Sequence, residues 1–139
     1  MIVVLPFMEE KTQFAAAALL DTWSAHAWDN GLQLDTVDDM DRLVVFTQNS
    51  TYEITVISPR SNEILVRGGR FFPEFTPARL AGSSLGGSFL KMGGIYVGFS
   101  MEINSNGQVI ITSRVRTIEV HRTGHRDVIR EISLPSSES

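Results

Sequence analysis

The chain has 139 residues, of which 42% are apolar, 20% charged and 9% aromatic, with no cysteine. That length suits a single domain over 1–139, the apolar fraction excludes wholesale disorder, and no window approaches the roughly 18 apolar residues of a membrane-spanning helix. The absent thiols exclude disulfides, thiolate metal sites and a cysteine nucleophile. The net charge of −4 is unevenly spread, residues 1–59 giving 2 − 9 = −7 and residues 60–139 giving 10 − 7 = +3. A surplus that thin argues against a nucleic-acid partner but is compatible with a small anionic one.

Residues 2–5 read as a short strand ended by Pro6. Over 8–28 the pattern turns helical, with Glu9 and Glu10 suited to the positive helix N-terminus and an alanine run of high helix propensity. Met8, Ala15, Leu19, Trp23 and Ala27 share one face, and Asn30-Gly31 is a stop signal. The tryptophans Trp23 and Trp28 are expected to plug an open end of a sheet. The alternative use of Leu19, Trp23 and Trp28 is a homodimer contact, since an Ala-rich stripe invites a partner helix. Glu9 and Glu10 stand where a secretion leader needs positive charge, so the chain is assigned to the cytoplasm, with no membrane partner.

Asp35, Asp38, Asp39 and Asp41 crowd a short connector. A calcium loop counted from Asp35 would need glycine sixth and glutamate twelfth, where Met40 and Phe46 stand, so an acidic solvated link is expected. Beyond it the period changes from 3.6 to 2. Residues 43–47, 51–57, 63–67, 95–103 and 109–112 alternate as strands, with Asn106-Gly107 marking a tight hairpin. Ile110, Ile118 and Val120 are in phase and Val115 is not, which predicts a bulge within 113–117. Residues 128–132 make a last edge strand and 133–139 a polar tail. The fold expected is all-β, a small antiparallel barrel over 42–132 flanked by one helix within 1–34.

Eight of the eleven glycines fall between 68 and 98. Arg67, Gly68, Gly69 and Arg70, with Gly82, Ser83, Ser84, Gly86 and Gly87, could cradle a phosphate or carboxylate through backbone N–H groups, hydroxyls and guanidinium groups. The competing account makes these glycines the corners of a tightly curled barrel. Gly82-Ser83-Ser84-Leu85-Gly86 also fits the G-x-S-x-G pattern of a serine nucleophile, though no helix text follows it. His121 and His125 have a four-residue spacing but sit in strand and turn text, so no metal is expected. Glu63, Glu74 and Glu102 belong to separate elements and form no acid–base pair by sequence.

At Tyr52-Glu53-Ile54, Ile64-Leu65-Val66-Arg67-Gly68-Gly69, Phe72-Pro73-Glu74, the serine–glycine stretch Gly82 to Ser88 and Thr112-Ser113-Arg114-Val115, the chain resembles an uncharacterised bacterial family of small β proteins over about 42–120. That resemblance implies the fold and no activity. Ser84 and Gly87, with Arg67 and Arg70 upstream, also loosely resemble the [DN]-x-S-x-x-G and R-x-x-x-R elements of PilZ domains, with Gly82 in place of the acid or amide and the arginine pair one residue short of that spacing. This second resemblance implies a barrel that binds cyclic di-GMP. The expectation is a non-catalytic binding or interaction module without a cofactor, with an anion-binding regulator and a serine hydrolase as rivals.

Overall fold

The computed structural model describes residues 2–3, 28–85, 89–124 and 127–134. The helix expected over 8–28 therefore lies outside the described residues except for Trp28, as do Leu19, Trp23, Gly86, Gly87, His125 and the tail beyond Leu134. What is described is mostly antiparallel strand: β1 (Ile2–Val3), β2 (Gly31–Gln33), β3 (Arg42–Thr47), β4 (Thr51–Ser58), β5 (Glu63–Gly68), β6 (Phe72–Ser84), β7 (Phe89–Met92), β8 (Gly94–Tyr96), β9 (Ser100–Ser105), β10 (Gln108–His121) and β11 (Arg130–Ser133). No helix among the described residues is long and apolar enough to cross a membrane.

The alternation read from sequence sets which side chains turn inward. Leu43 and Val45 on β3, Ile54 and Val56 on β4, Ile64 and Val66 on β5, and Met101 and Ile103 on β9 form one buried cluster with Ile118 and Val120 on β10. Their neighbours in sequence, such as Glu53 and Arg67, face outward.

The pairings return on themselves. β3 pairs β4, β4 pairs β5, β5 pairs β6, β6 pairs β9, β9 pairs β10, and β10 pairs β3, so six strands close a ring around that cluster. The ring is strongly staggered. A row of partners leaves β10 at Val120 and runs through Leu43, Ile54 and Val66 to Thr76. Thr76 lies three positions beyond Arg79, which pairs Asn104, so the row passes the end of β9 and returns to β10 beyond Gln108. The departure and return points are at least 120 − 108 = 12 positions apart. A sheared ring needs steeply tilted strands, and one strand must serve partners at two heights. β10 does this: residues 108–114 pair β9, and 115–121 pair β3, while β11 covers Thr117 to Val120 on the other side.

Three expectations are corrected. The single strand expected over 95–103 is two, β8 and β9, separated by a turn at 97–99 in which Gly98 has φ 96. Its alternation was misleading because both faces are buried: Ile95, Val97 and Met101 enter the main core, whereas Tyr96 and Phe99 enter a second cluster with Leu85, Phe89 and Trp28. The glycine-rich centre contains a 13-residue strand, β6, which Pro73 and Pro77 disguise; both prolines sit at exposed positions. The acidic connector is not wholly solvated either. Asp41 is 4% exposed, and its carboxylate accepts hydrogen bonds from Asp38 N (3.1 Å), Thr123 N (3.1 Å) and Thr123 Oγ1 (3.3 Å). It ties the start of β3 to the chain leaving β10.

Candidate functional site

Of the residues expected to form one anion cradle, the described ones are not assembled into one. Arg67 lies on the outer face of β5, where its Nε donates to Glu53 Oε1 at 3.0 Å and its guanidinium covers the Phe75 ring at 4.4 Å. Arg70 is exposed in the following turn. Ser83 and Ser84 end β6, twelve residues beyond its first residue, Phe72. At about 3.3 Å per residue that is a contour of roughly 40 Å. The two halves occupy opposite ends of one strand.

At the described glycines of the cradle, Gly68, Gly69 and Gly82, the protein itself fills the space. Gly68, at φ 137, lies so close to β4 that a Cβ would stand 2.1 Å from the Thr51 carbonyl oxygen. Gly69 lies beneath the Tyr52 ring, where a Cβ would meet the phenol oxygen at 2.5 Å. Gly82, at φ 150, is where β6 pairs β7 and β9 together, and a Cβ there would reach the Lys91 carbonyl oxygen at 2.1 Å. At these three positions the chain packs closely against its own strands and rings, where a side chain would not fit.

Ser83 is enclosed and engaged. Its hydroxyl donates to the Gly94 carbonyl at 3.0 Å and accepts from Tyr96 N at 3.0 Å, stitching β6 to β8. Ser84 is 0% exposed, so its hydroxyl has no open approach for a substrate carbonyl. Trp28, proposed as a partner contact, stacks on Phe99 at 5.1 Å and meets Tyr96 edge-on at 5.0 Å within its own chain. His121 is buried with Nε2 3.3 Å from Glu119 Oε1. Among the described residues no three His, Cys, Asp or Glu side chains stand close enough to hold a metal ion.

A different constellation emerges at the irregularity predicted within 113–117. β10 breaks register twice, between Ile111 and Arg114 against β9 and between Val115 and Thr117 against β3. Between the breaks Val115 turns into the core, and Arg114 and Arg116 both stand exposed. Here β10 passes from one partner to the next. Val115 N donates to Phe99 O and accepts at its own carbonyl from Gly98 N, while Gln48 N donates to the Arg114 carbonyl, each at 2.9 Å. The turn before β9, the end of the β3–β4 hairpin and the end of β11 therefore converge on two arginines.

The space they leave is an open cleft of about 390 Å³. Arg114 and Arg116 supply the charge, Gln48 an amide, Ser133 a hydroxyl, and Val97 and Leu134 an apolar wall; among the described residues no carboxylate lines it. Arginine forks match carboxylate and phosphate oxygens, and two of them without an acidic neighbour leave positive potential uncompensated. A second concavity of about 410 Å³ is also lined by basic side chains, Arg42 and Arg122, with the imidazole of His121 beside them. There, however, Glu53 Oε2 stands 3.9 Å from Arg42 and Glu119 Oε1 3.3 Å from His121. A third, beside Asp35, Asp38 and Asp39, would repel an anion. Of these three concavities the β10 cleft is the best suited to negative charge.

Sequence reading passed over Gln48, Arg114 and Arg116 as a site, although its own parity break at Val115 was the signal. A bulge that turns one valine inward places the arginines on either side of it outward together. No protein-family model matches the chain, and neither a curated protein nor a solved structure matches it, so the chemistry of the cleft rests on its own side chains.

Proposed function

We propose that the protein is a non-catalytic binding module that captures an organic anion in the cleft where β10 changes partners. The observation that carries this reading is the pair of exposed arginines, Arg114 and Arg116, in a cleft with no carboxylate among its described lining residues. A phosphate or carboxylate head would engage the guanidinium groups and the Gln48 amide, and an apolar part would lie against Val97 and Leu134. The serines and glycines of 68–84 serve the fold, and the buried Ser83 and Ser84 offer no accessible nucleophile.

The test is a titration followed by amide chemical shifts, using inorganic phosphate, a phosphorylated metabolite, a fatty acid and cyclic di-GMP as separate probes. The expected result is a response at Gln48, Gly98, 114–116 and Ser133, at least tenfold weaker in Arg114→Ala/Arg116→Ala. Silence towards every probe at millimolar concentration, or a response confined to Arg67 and Arg70, would overturn the reading.

A further inference from the structure

The stagger of the ring leaves part of β10 exposed along its edge. Residues 108–112 have β9 on one side, and among the described residues no strand lies on the other, because β3 first meets β10 at Val115. On the outer face of this segment Val109 and Ile111 are exposed, by 60% and 43%, whereas Ile110 and Thr112 are buried. A free edge presents unpaired N–H and C=O groups to any strand that can approach.

Free edges are commonly guarded by proline or charge, and two others in this molecule are. The outer edge of β11 carries Arg130 and Glu131, and the first half of β6, beyond the reach of β9, carries Pro73, Glu74 and Pro77. The β10 edge has no such guard. From Asn104 to Ser113 every residue is uncharged, and 108–112 reads Gln-Val-Ile-Ile-Thr, rich in β-branched side chains and free of proline.

We infer that this edge is the contact for a second copy of the chain, paired antiparallel about Ile110. The argument for a copy rather than another partner is the symmetry of the segment. A two-fold axis at Ile110 sets Val109 opposite Ile111 of the partner and Gln108 opposite Thr112, so the outer face gains four adjoining β-branched side chains. A chain with net charge −4 meets its copy here without like charges in the contact. The surface is small, so the dimer belongs to the weak, concentration-dependent class. It leaves Arg114 and Arg116 outside the pairing and does not rest on the anion reading.

Sedimentation velocity over a concentration series tests it. The expected result is a shift from the 15.4 kDa monomer towards twice that mass, with the association weakened at least tenfold in Val109→Lys/Ile111→Lys and unchanged in Trp23→Asp. Both replaced residues are exposed, so the variant is expected to keep the wild-type circular dichroism and melting temperature. Hydrogen exchange on the unmodified protein gives a second readout: amides of 108–112 become more protected as concentration rises. A monomer at millimolar concentration, a dimer that survives the double substitution, or one lost with Trp23→Asp would overturn the inference.

Discussion

Ser83 separates a structural account of the glycine–serine segment from a ligand-binding one. Its hydroxyl is fully buried, donating to the Gly94 carbonyl and accepting from Tyr96 N, each at 3.0 Å. Ser83→Ala removes both bonds with almost no loss of volume, so cavity formation contributes little. What remains is a buried N–H and a buried carbonyl that each lose a partner, at about 1–3 kcal/mol for a group left unsatisfied. The Tyr96 amide carries most of that cost, because Tyr96 is 4% exposed and water has little access to it. The expected destabilisation is about 2–3 kcal/mol, which for a chain of this length lowers the melting temperature by roughly 6–15 °C. Urea unfolding followed by circular dichroism gives the same quantity as a lower midpoint at unchanged slope. A variant as stable as wild type that had lost an anion-binding response would refute the structural assignment of Ser83.

Other outcomes follow from the same geometry. Asp41→Ala strips a buried acceptor from Asp38 N, Thr123 N and Thr123 Oγ1, and should cost about 2–3 kcal/mol in urea while speeding amide exchange at Thr123. Burial raises the Tyr52 phenol above its ordinary value of 10.0, against an opposing hydrogen bond with Ser50. Its contribution to stability is therefore complete below pH 10.0 and lost as pH climbs through the raised native value, which melting in alkaline buffers with tyrosinate absorbance will follow. Partial burial likewise raises Glu102 above 4.5, so its contribution is present below that pH and lost as pH rises through the native value. Glu102→Gln should thus gain stability at neutral pH, by no more than about 0.5 kcal/mol given its solvent contact, and none near pH 4.5. Equal changes at both pH values would contradict that sign.

The β architecture was readable because one-sided burial writes itself into sequence: β3, β4 and β5 bury alternate residues and expose the rest. The reading failed where that condition lapsed. Residues 95–103 alternate, yet two cores take side chains from both faces, so parity could not reveal the turn at Gly98. β6 was hidden by two exposed prolines and by Gly82, which brings the Lys91 carbonyl of β7 to close range. The cradle failed for a different reason. Proximity in sequence was taken for proximity in space, whereas a 13-residue strand carries its ends far apart. Asp41 was inseparable by residue type from Asp35, Asp38 and Asp39; only the path of the chain after β10, which brings Thr123 to it, singles it out.

The anion cleft and the free edge share one origin. A ring staggered by at least 12 positions cannot keep β10 against the same two neighbours along its length, so the strand must exchange partners partway. The exchange requires extra residues, and the two register breaks that supply them leave Arg114 and Arg116 both outside while Val115 keeps the core closed. The same stagger carries the first residues of β10 past the end of β3 and leaves their edge without a strand partner among the described residues. Shear therefore generates both surfaces, and the side chains decide their uses. Charge at 114 and 116 makes the gap attractive to anions. Its absence over 104–113 makes the edge compatible with a copy of itself. A ring of the same strands with little stagger would keep β3 against β10 throughout, and it would have neither.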